Sequence, residues 1–363
     1  MTFTRREFIA TATAGAVTLG IPGQALAESS GELRVVVGGG GFGKAVVEAY
    51  VKPFEVETGV KVTPITQDVT GSQVELMVKS NSVTVDVVVR SAASGLILAQ
   101  QDLLEKVDYS IFKRDELNAI ADYCKNPFGF GSWIYSYNLV YNTKVFPADR
   151  PRPTNWAEFW DVKKYPGSRS LQTGQYGYAG PWEEALLADG VAVDALYPID
   201  VDRVFASLDK IKPHVVKWWT NGSENEQILR DSVAEIAMSY DSRPLNLISQ
   251  GAPIEISRNQ AKLTWDFWVI PKGSPNVKNA QKFIEFTSRA DRQAAYAKLY
   301  TQAPSNSNAY KLLPEDLARK LASYPAYQTT SFVADPKWYL EAGSDGTTNY
   351  KRLIQRWNEW ILR

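Results

Sequence analysis

The feature that most constrains the fold is a β-α-β unit that follows the first thirty residues of the chain. Residues 32–37 (ELRVVV) have the pattern of a buried strand, and residues 44–57 carry apolar side chains at helical spacing. Gly59 ends that helix, and residues 60–63 form a second predicted strand. Two consecutive strands joined by a helix run parallel, so this unit predicts an α/β fold.

A run of glycines, residues 38–43 (GGGGFG), joins the first strand to the helix. It formally matches the G-x-G-x-x-G pattern of dinucleotide-binding folds. Four consecutive glycines satisfy that pattern easily, and the expected acidic residue would have to be Asp68, which lies beyond Pro64 and after the second strand. The alternative is a loop that brings backbone N–H groups and Phe42 to a ligand. An exported NAD(P)-dependent oxidoreductase therefore stays open as a less favoured alternative.

Residues 1–27 have the features of a targeting segment. Residues 4–9 (TRREFI) resemble the twin-arginine export signal, an apolar stretch follows, and residues 25–27 (ALA) form a small-x-small cleavage pattern. No later segment approaches the 18 or so continuous apolar residues that read as a membrane-spanning helix. We expect a mature protein that begins at Glu28 and is localised in the bacterial periplasm.

The composition excludes several classes of function. The formal net charge is zero, whereas a sequence-independent nucleic-acid partner requires a basic excess. The chain has one cysteine, Cys124, and one histidine, His214. An intramolecular disulfide and a cysteine-based zinc site are therefore excluded, and a His-rich metal centre or a Ser-His-Asp triad is hard to build. We expect no catalytic residues, no metal and no cofactor.

The most informative stretch runs over residues 217–273. A short apolar strand at residues 235–239 leads into residues 240–243 (YDSR), and residues 265–268 (WDFW) precede a Val-Ile-Pro element. Charged side chains placed among aromatic ones at strand ends suit a small, charged and partly apolar ligand. A segment that served only a hydrophobic core would place Val or Leu there.

The β-α alternation occurs in two blocks, which predicts two lobes. Residues 128–142 are aromatic and alternating, as in a long strand that crosses between lobes, and prolines follow this strand. We assign residues 28–140 plus 270–308 to lobe 1 and residues 141–269 plus 309–363 to lobe 2.

The order of several motifs resembles the periplasmic solute-binding proteins of ABC importers, in their spermidine/putrescine-binding branch. These motifs are WWTNGSE at 218–224 with QIL at 227–229, IAMSY at 236–240, WD at 265–266 before IPKGS at 270–274, AQKFIEF at 280–286, APSN at 303–306, and the crossing segment LVYN at 139–142. The resemblance implies the type II two-lobed fold, in which each lobe is a mixed, mostly parallel sheet flanked by helices. It also implies hinge crossings, a ligand in the cleft and an inner-membrane permease as partner. We expect a monomer.

Residue by residue, the resemblance implies a binding site, and the sequence departs from the family's pattern in one part of that site. In this family an Asp before the Ile-Pro element binds a ligand ammonium, and here that residue is Asp266. An aromatic residue after the Ala-Met strand packs against the ligand's methylene chain, and here that residue is Tyr240. Polyamine binders add carboxylates at the start of a second-lobe helix, but residues 177–181 offer none. Arg243 instead puts a cation beside the site, where its planar fork suits a carboxylate.

Asp266 and Arg243 together predict a zwitterionic ligand, an ω-amino acid such as γ-aminobutyrate (GABA). Two alternatives stay open: the protein binds a polyamine (putrescine or spermidine), or Arg243 pairs structurally with Asp241 or Asp266. Some of the predicted ligand-binding residues come from the resemblance and some from strand-end positions. They are Asp266, Arg243, Tyr240, Trp265, Trp182, Trp133, Tyr135, Phe42, Ser91, Gln302 and Asp241.

Overall fold

The β-α-β unit predicted at the start of the chain is present in the computed structural model, which describes residues 32–363. Strand β1 (Glu32–Val36) pairs in parallel with β2 (Lys61–Ile65). The helix between them ends at Gly59, whose left-handed φ of 71° favours glycine. The predicted signal segment, residues 1–27, lies outside the described residues.

The described residues form twelve strands, of which β6 and β10 are the longest. They are β1 Glu32–Val36, β2 Lys61–Ile65, β3 Val88–Ser91, β4 Lys125–Asn126, β5 Gly129–Phe130, β6 Trp133–Asn142, β7 Arg169–Gln172, β8 Val215–Trp219, β9 Ile236–Tyr240, β10 Ile254–Val269, β11 Ala303–Pro304 and β12 Phe332–Val333. Strands β1 and β2 pair with each other, and most of the others form a sheet in the order β4-β5-β10-β6-β9-β7-β8. Strands β3 and β12 also pair with β10, and β11 pairs with β6. The long strands thus join the sheets of both lobes.

Fifteen α-helices lie in the described residues. They are α1 Gly40–Val46, α2 Lys52–Thr58, α3 Gly71–Lys79, α4 Ala92–Gln100, α5 Arg114–Ala119, α6 Trp156–Trp160, α7 Trp182–Ala188, α8 Val201–Ile211, α9 Gly222–Arg230, α10 Ser242–Ser249, α11 Val277–Ser288, α12 Ala290–Leu299, α13 Glu315–Ala318, α14 Pro336–Leu340 and α15 Asn349–Ile361. A π-helical turn, Val47–Val51, makes α1 and α2 continuous. Helix α9 begins where the Asn221 side chain accepts the N–H of Glu224.

Two large hydrophobic cores divide the described chain into two lobes. On β6, Ile134 packs in the first core and Tyr137 in the second. On β10, residues from Leu263 onward return to the first core. A third crossing lies between Ala322 in the first core and Phe332 in the second. The middle parts of the antiparallel strands β6 and β10 therefore form the floor of the cleft between the lobes.

The observed crossings differ from the predicted lobe boundaries. Trp265, Phe267, Trp268 and Val269, assigned to lobe 2 from the sequence, pack in the first core, as does Leu321. The reason is that β6 and β10 run uninterrupted through both lobes, so neither proline nor glycine marks the crossing. The prolines after residue 146 instead follow β6, inside the second lobe. Within residues 32–363, no helix is both long and apolar enough to cross a membrane.

Candidate functional site

A cavity of about 420 Å³ lies between the lobes. This volume is in the range of small-molecule binding sites. The first lobe contributes the loop between β1 and α1 and the end of β3, and the second lobe contributes the end of β9 and the starts of α9 and α10. Its lining includes the side chains of Phe42, Arg90, Tyr135, Tyr240, Arg243, Asp266 and Gln302. We call this cavity the first compartment.

A second compartment adjoins the first and shares Arg90, Tyr135, Tyr240 and Asp266 with it. It extends along β10 and toward α7. Its further lining includes Ser91, Tyr137, Gln172, Tyr178, Glu183, Asn221, Lys262, Thr264, Trp265 and Tyr339. Both compartments therefore converge on Asp266.

Asp266 lies at the junction of the two compartments and accepts two hydrogen bonds. It lies on β10 opposite Ser91 of β3. Its carboxylate accepts hydrogen bonds from the Tyr135 hydroxyl at 3.1 Å and from Trp133 Nε1 at 3.4 Å. Burial raises the pKa of Asp266, and these two donors and the charge of Arg90 oppose that rise. A buried carboxylate whose pKa rise is partly offset by hydrogen-bond donors and a nearby positive charge is suited to bind an ammonium group.

Aromatic rings form the wall beside this carboxylate. The ring of Tyr240 lies 5.8 Å from that of Tyr135 and 4.8 Å from that of Tyr137, centroid to centroid. Trp219 packs behind Tyr240 at 5.3 Å. Phe42 of α1 faces the same compartment from the first lobe. These rings offer apolar surface to a methylene chain.

Arg243 enters the first compartment from α10, in the second lobe. Its Nη1 donates to the Glu226 carboxylate at 2.9 Å, and its side chain is 29% exposed. The ion pair that the structure gives Arg243 is thus with Glu226 rather than with Asp241 or Asp266. A Cβ atom at Gly222 would lie 2.3 Å from Arg243 Nε, so the glycine makes room for the guanidinium.

Two predicted site residues, Trp133 and Asp241, lie behind the cleft surface. Trp133 is buried and reaches Asp266 only through its Nε1. Asp241 is fully buried, accepts the N–H of Ser242 at 2.8 Å and lies 3.6 Å from Arg258. Burial raises the pKa of Asp241 to about 6, against the charge of Arg258. Asp241 therefore caps α10 and supports the site from behind.

Trp182 lies in the second core rather than at the cleft, which corrects its assignment as a ligand wall. Its indole is fully buried against Phe205 and donates to the Gly177 carbonyl at 2.9 Å. Cβ atoms at Gly174 or Gly180 would come within 2.3 and 2.5 Å of the indole. These glycines open a slot that turns the side chain inward.

The other predicted residues lie in the cleft. Ser91 and Trp265 line the second compartment, and Gln302 lines the first, where it accepts a hydrogen bond from Tyr296 at 2.7 Å. Trp265 Nε1 is buried without a hydrogen-bond partner in the described chain. Among residues 32–363, no group of three or more His, Cys, Asp or Glu side chains could hold a metal ion.

Two cleft cations were not among the predicted site residues. Arg90 lines both compartments, and its guanidinium is tied to the Val69 carbonyl at 2.7 Å and to Ser94 Oγ at 3.1 and 3.2 Å. Its position at the end of a strand, directly before Ser91, is the sequence feature that could have identified it. The second cation, Lys262, lies within the long strand β10, where no sequence signal marks it.

Lys262 is almost completely enclosed on the wall of the second compartment. Its Nζ donates to Glu183 at 2.9 Å, to Glu184 at 3.0 Å and to the Gly180 carbonyl at 3.0 Å. It also lies 5.0 Å from the centroid of the Tyr137 ring. Burial lowers the pKa of Lys262, but the two glutamates raise it by more. Burial raises the pKa of Glu184 to about 7, and the charge of Lys262 opposes that rise.

Residues 49–329 match the family of bacterial extracellular solute-binding proteins. The chain belongs to this family. It is 29% identical to the γ-aminobutyric acid-binding protein of Pseudomonas aeruginosa, over 95% of each chain. A solved GABA receptor is 30% identical, covers 91% of this chain and 97% of its own, and superposes with a TM-score of 0.79. The norspermidine sensor of Vibrio cholerae is 25% identical over 81% of this chain and 80% of its own.

Membership of the family confirms the predicted resemblance to solute-binding proteins of ABC transporters and the two-lobed α/β fold. It also identifies the chain as a binding component for a small solute rather than an enzyme. The oxidoreductase alternative, which rested on the glycine run, is therefore wrong. In the structure that run begins α1 and carries Phe42 to the cleft.

Proposed function

We propose that this protein captures a zwitterionic ω-amino acid, GABA above all, in the interlobe cleft and delivers it from the periplasm to an ABC permease in the inner membrane. We propose that it does so as a monomer. The observation that carries the proposal is that Asp266 and Arg243 line one compartment from opposite lobes, together with aromatic rings. A ligand with a cation at one end and an anion at the other matches this arrangement.

Asp266 is the partner of the ligand ammonium. Two of its acceptor positions are taken by Tyr135 and Trp133, which leaves carboxylate lone pairs facing the cleft. Arg90 stays nearby but is committed to Val69 and Ser94. Its charge lowers the pKa of Asp266, against the rise caused by burial, without competing for the same hydrogen bonds.

Arg243 is the partner of the ligand carboxylate. Its described hydrogen bond engages only Nη1, so Glu226 orients the guanidinium while other N–H donors of the fork remain for a carboxylate. Since Arg243 belongs to the second lobe and Asp266 to the strand that returns to the first, a bound zwitterion links the two lobes. Such a link stabilises the closed cleft.

A polyamine is the less favoured ligand because the cleft holds no excess of anionic side chains. The first compartment is lined by Asp68 and Asp266 but also by Arg90 and Arg243. A dication placed there would meet two cations. The relative that binds GABA also matches nearly the whole chain at 29% identity, above the 25% of the norspermidine sensor.

A thermal-shift screen tests this proposal. The protein is first unfolded and refolded to remove any ligand that copurifies, then heated with GABA, n-butylamine, butyrate or putrescine at equal concentration. Because the folded, closed state binds its ligand and the unfolded chain does not, the true ligand raises the Tm. We expect a shift with GABA that neither single-charge analogue produces. A shift with putrescine and none with GABA would overturn the proposal.

A further inference from the structure

The group that surrounds Lys262 has the composition of an ammonium-binding site. Two carboxylates, Glu183 and Glu184, and the Gly180 carbonyl each lie within 3.0 Å of Nζ. The ring face of Tyr137 lies 5.0 Å away on a further side. A primary ammonium has three N–H donors and is attracted to aromatic faces, so this set satisfies it completely. We call these four groups the amine cage.

The amine cage opens on the ligand cleft rather than on bulk solvent. Glu183, Lys262 and Tyr137 all line the second compartment, together with Asp266. Lys262 and Asp266 lie on the same strand, β10, at positions whose side chains point to one face. Their Cα atoms are about 13 Å apart at the usual rise of a strand. A linear ligand with one ammonium at Asp266 could therefore extend along β10 toward the cage.

We propose that Lys262 is a specificity-determining residue: its own ammonium fills a second amine site in the cleft and so excludes linear diamines and polyamines. This inference rests on the proposed function, because it explains why a cleft that accepts one ammonium at Asp266 rejects a ligand that carries two. The amine cage provides the groups that would bind the second amine, and the ammonium of Lys262 already occupies it.

The remaining contacts of the cage support this role. Glu183 accepts hydrogen bonds from the Tyr197 and Tyr339 hydroxyls at 2.5 and 2.6 Å. These donors keep one carboxylate oriented toward the position of Nζ even without the lysine. Truncation of Lys262 to alanine removes the equivalent of propylammonium and leaves a carboxylate-lined cavity that opens on the second compartment. That cavity suits the end of a diamine.

The test is calorimetric titration of the full mature chain, wild type and Lys262→Ala, with diamines of increasing length from putrescine upward and with spermidine. We expect the variant to bind at least one of these amines at least tenfold more tightly than the wild type does. The matched control is Lys272→Ala, which removes an exposed lysine paired with Asp102 and should produce no gain. If folded Lys262→Ala binds diamines no more tightly than the wild type, the proposal is wrong.

Unpaired buried carboxylates destabilise a fold, so a second variant keeps the test decisive. The double variant Lys262→Ala/Glu184→Gln removes one of the two unpaired carboxylates and leaves Glu183 with its tyrosine donors. n-Propylamine should raise the Tm of either variant more than the neutral 1-propanol does, and equal effects would contradict the cage. Titration of the wild type with GABA is a separate measurement, so failure of the proposed function is distinguished from failure of this inference.

Discussion

The hydroxyl of Tyr135 donates a hydrogen bond to Asp266 at 3.1 Å, across the two strands that carry the chain between the lobes. Tyr135 is on β6 and Asp266 on β10, so the bond lies at the floor of the cleft. The carboxylate that we propose binds the ligand is thereby hydrogen-bonded to a residue of the crossing strand β6. We therefore expect the proposed ammonium site to depend on the geometry of the crossing strands.

Replacement of Tyr135 by phenylalanine tests this coupling. The Asp266 carboxylate loses one donor while its burial is kept, and its pKa rises further. A lost hydrogen bond to a charged group is worth about 1.5–3 kcal/mol, so GABA affinity at pH 7 should fall by about tenfold or more. Calorimetry measures the Kd, and circular dichroism verifies the fold. An unchanged Kd would show that Tyr135 does not support the site.

The pH dependence of binding follows from Asp266. Its folded-state pKa is raised, chiefly by burial, and only the ionised carboxylate attracts an ammonium. The affinity for GABA should therefore fall as the pH decreases through that raised pKa and should be constant above it. Titrations between about pH 4 and pH 8 measure this profile. Asp266→Asn should bind weakly at every pH, and a pH profile that survives this substitution would assign the titration to another group.

Gly222 provides a test of Arg243 that leaves the arginine in place. In Gly222→Ala the new Cβ would lie 2.3 Å from Arg243 Nε, so the guanidinium must move. We expect GABA affinity to fall by about tenfold, the scale of one charge-assisted hydrogen bond. Gly71→Ala is the matched control, because Gly71 also begins a helix and its Cβ would meet nothing closer than 3.5 Å. Equal Kd values for the two variants would contradict the role of Arg243.

Trp182 should affect stability rather than specificity. Its side chain is fully buried between Phe205 and Trp357. Trp182→Ala should lower the free energy of unfolding by about 3–5 kcal/mol, the cost of a large cavity in a core. Urea denaturation measures this change. The milder Trp182→Phe should retain the wild-type Kd for GABA, and a large loss of affinity at unchanged stability would return Trp182 to the ligand site.

The sequence was sufficient for the fold class, and two of its predicted site residues, Asp266 and Tyr240, line the cleft. The alternation of strands and helices identified the α/β architecture, and the resemblance located Asp266 and Tyr240 at the cleft. Both lie at strand ends or crossings, where local pattern and position along the chain carry information. The direction of Trp182 could not be predicted, because it depends on two glycines that open a slot in the second core.

Long-range charge pairing was beyond what the sequence could reveal. Lys262 meets Glu183 and Glu184 across 79 and 78 positions of the chain, and Arg243 meets Glu226 across 17. Such pairs depend on how two elements pack, and no local periodicity encodes that packing. The points at which the chain crosses between the two cores are hard to predict for a related reason, since a strand that passes through two cores has no break at the crossing.

The most direct test of the central claim is calorimetric titration of the ligand-stripped protein with GABA and with putrescine, alongside Arg243→Ala and Asp266→Ala. The account predicts one-to-one binding of GABA by the wild type, no measurable binding of putrescine, and loss of GABA binding in each variant. Each variant removes one of the two charges that a zwitterion requires. Binding of putrescine without binding of GABA, or GABA binding that survives both substitutions, would contradict the account.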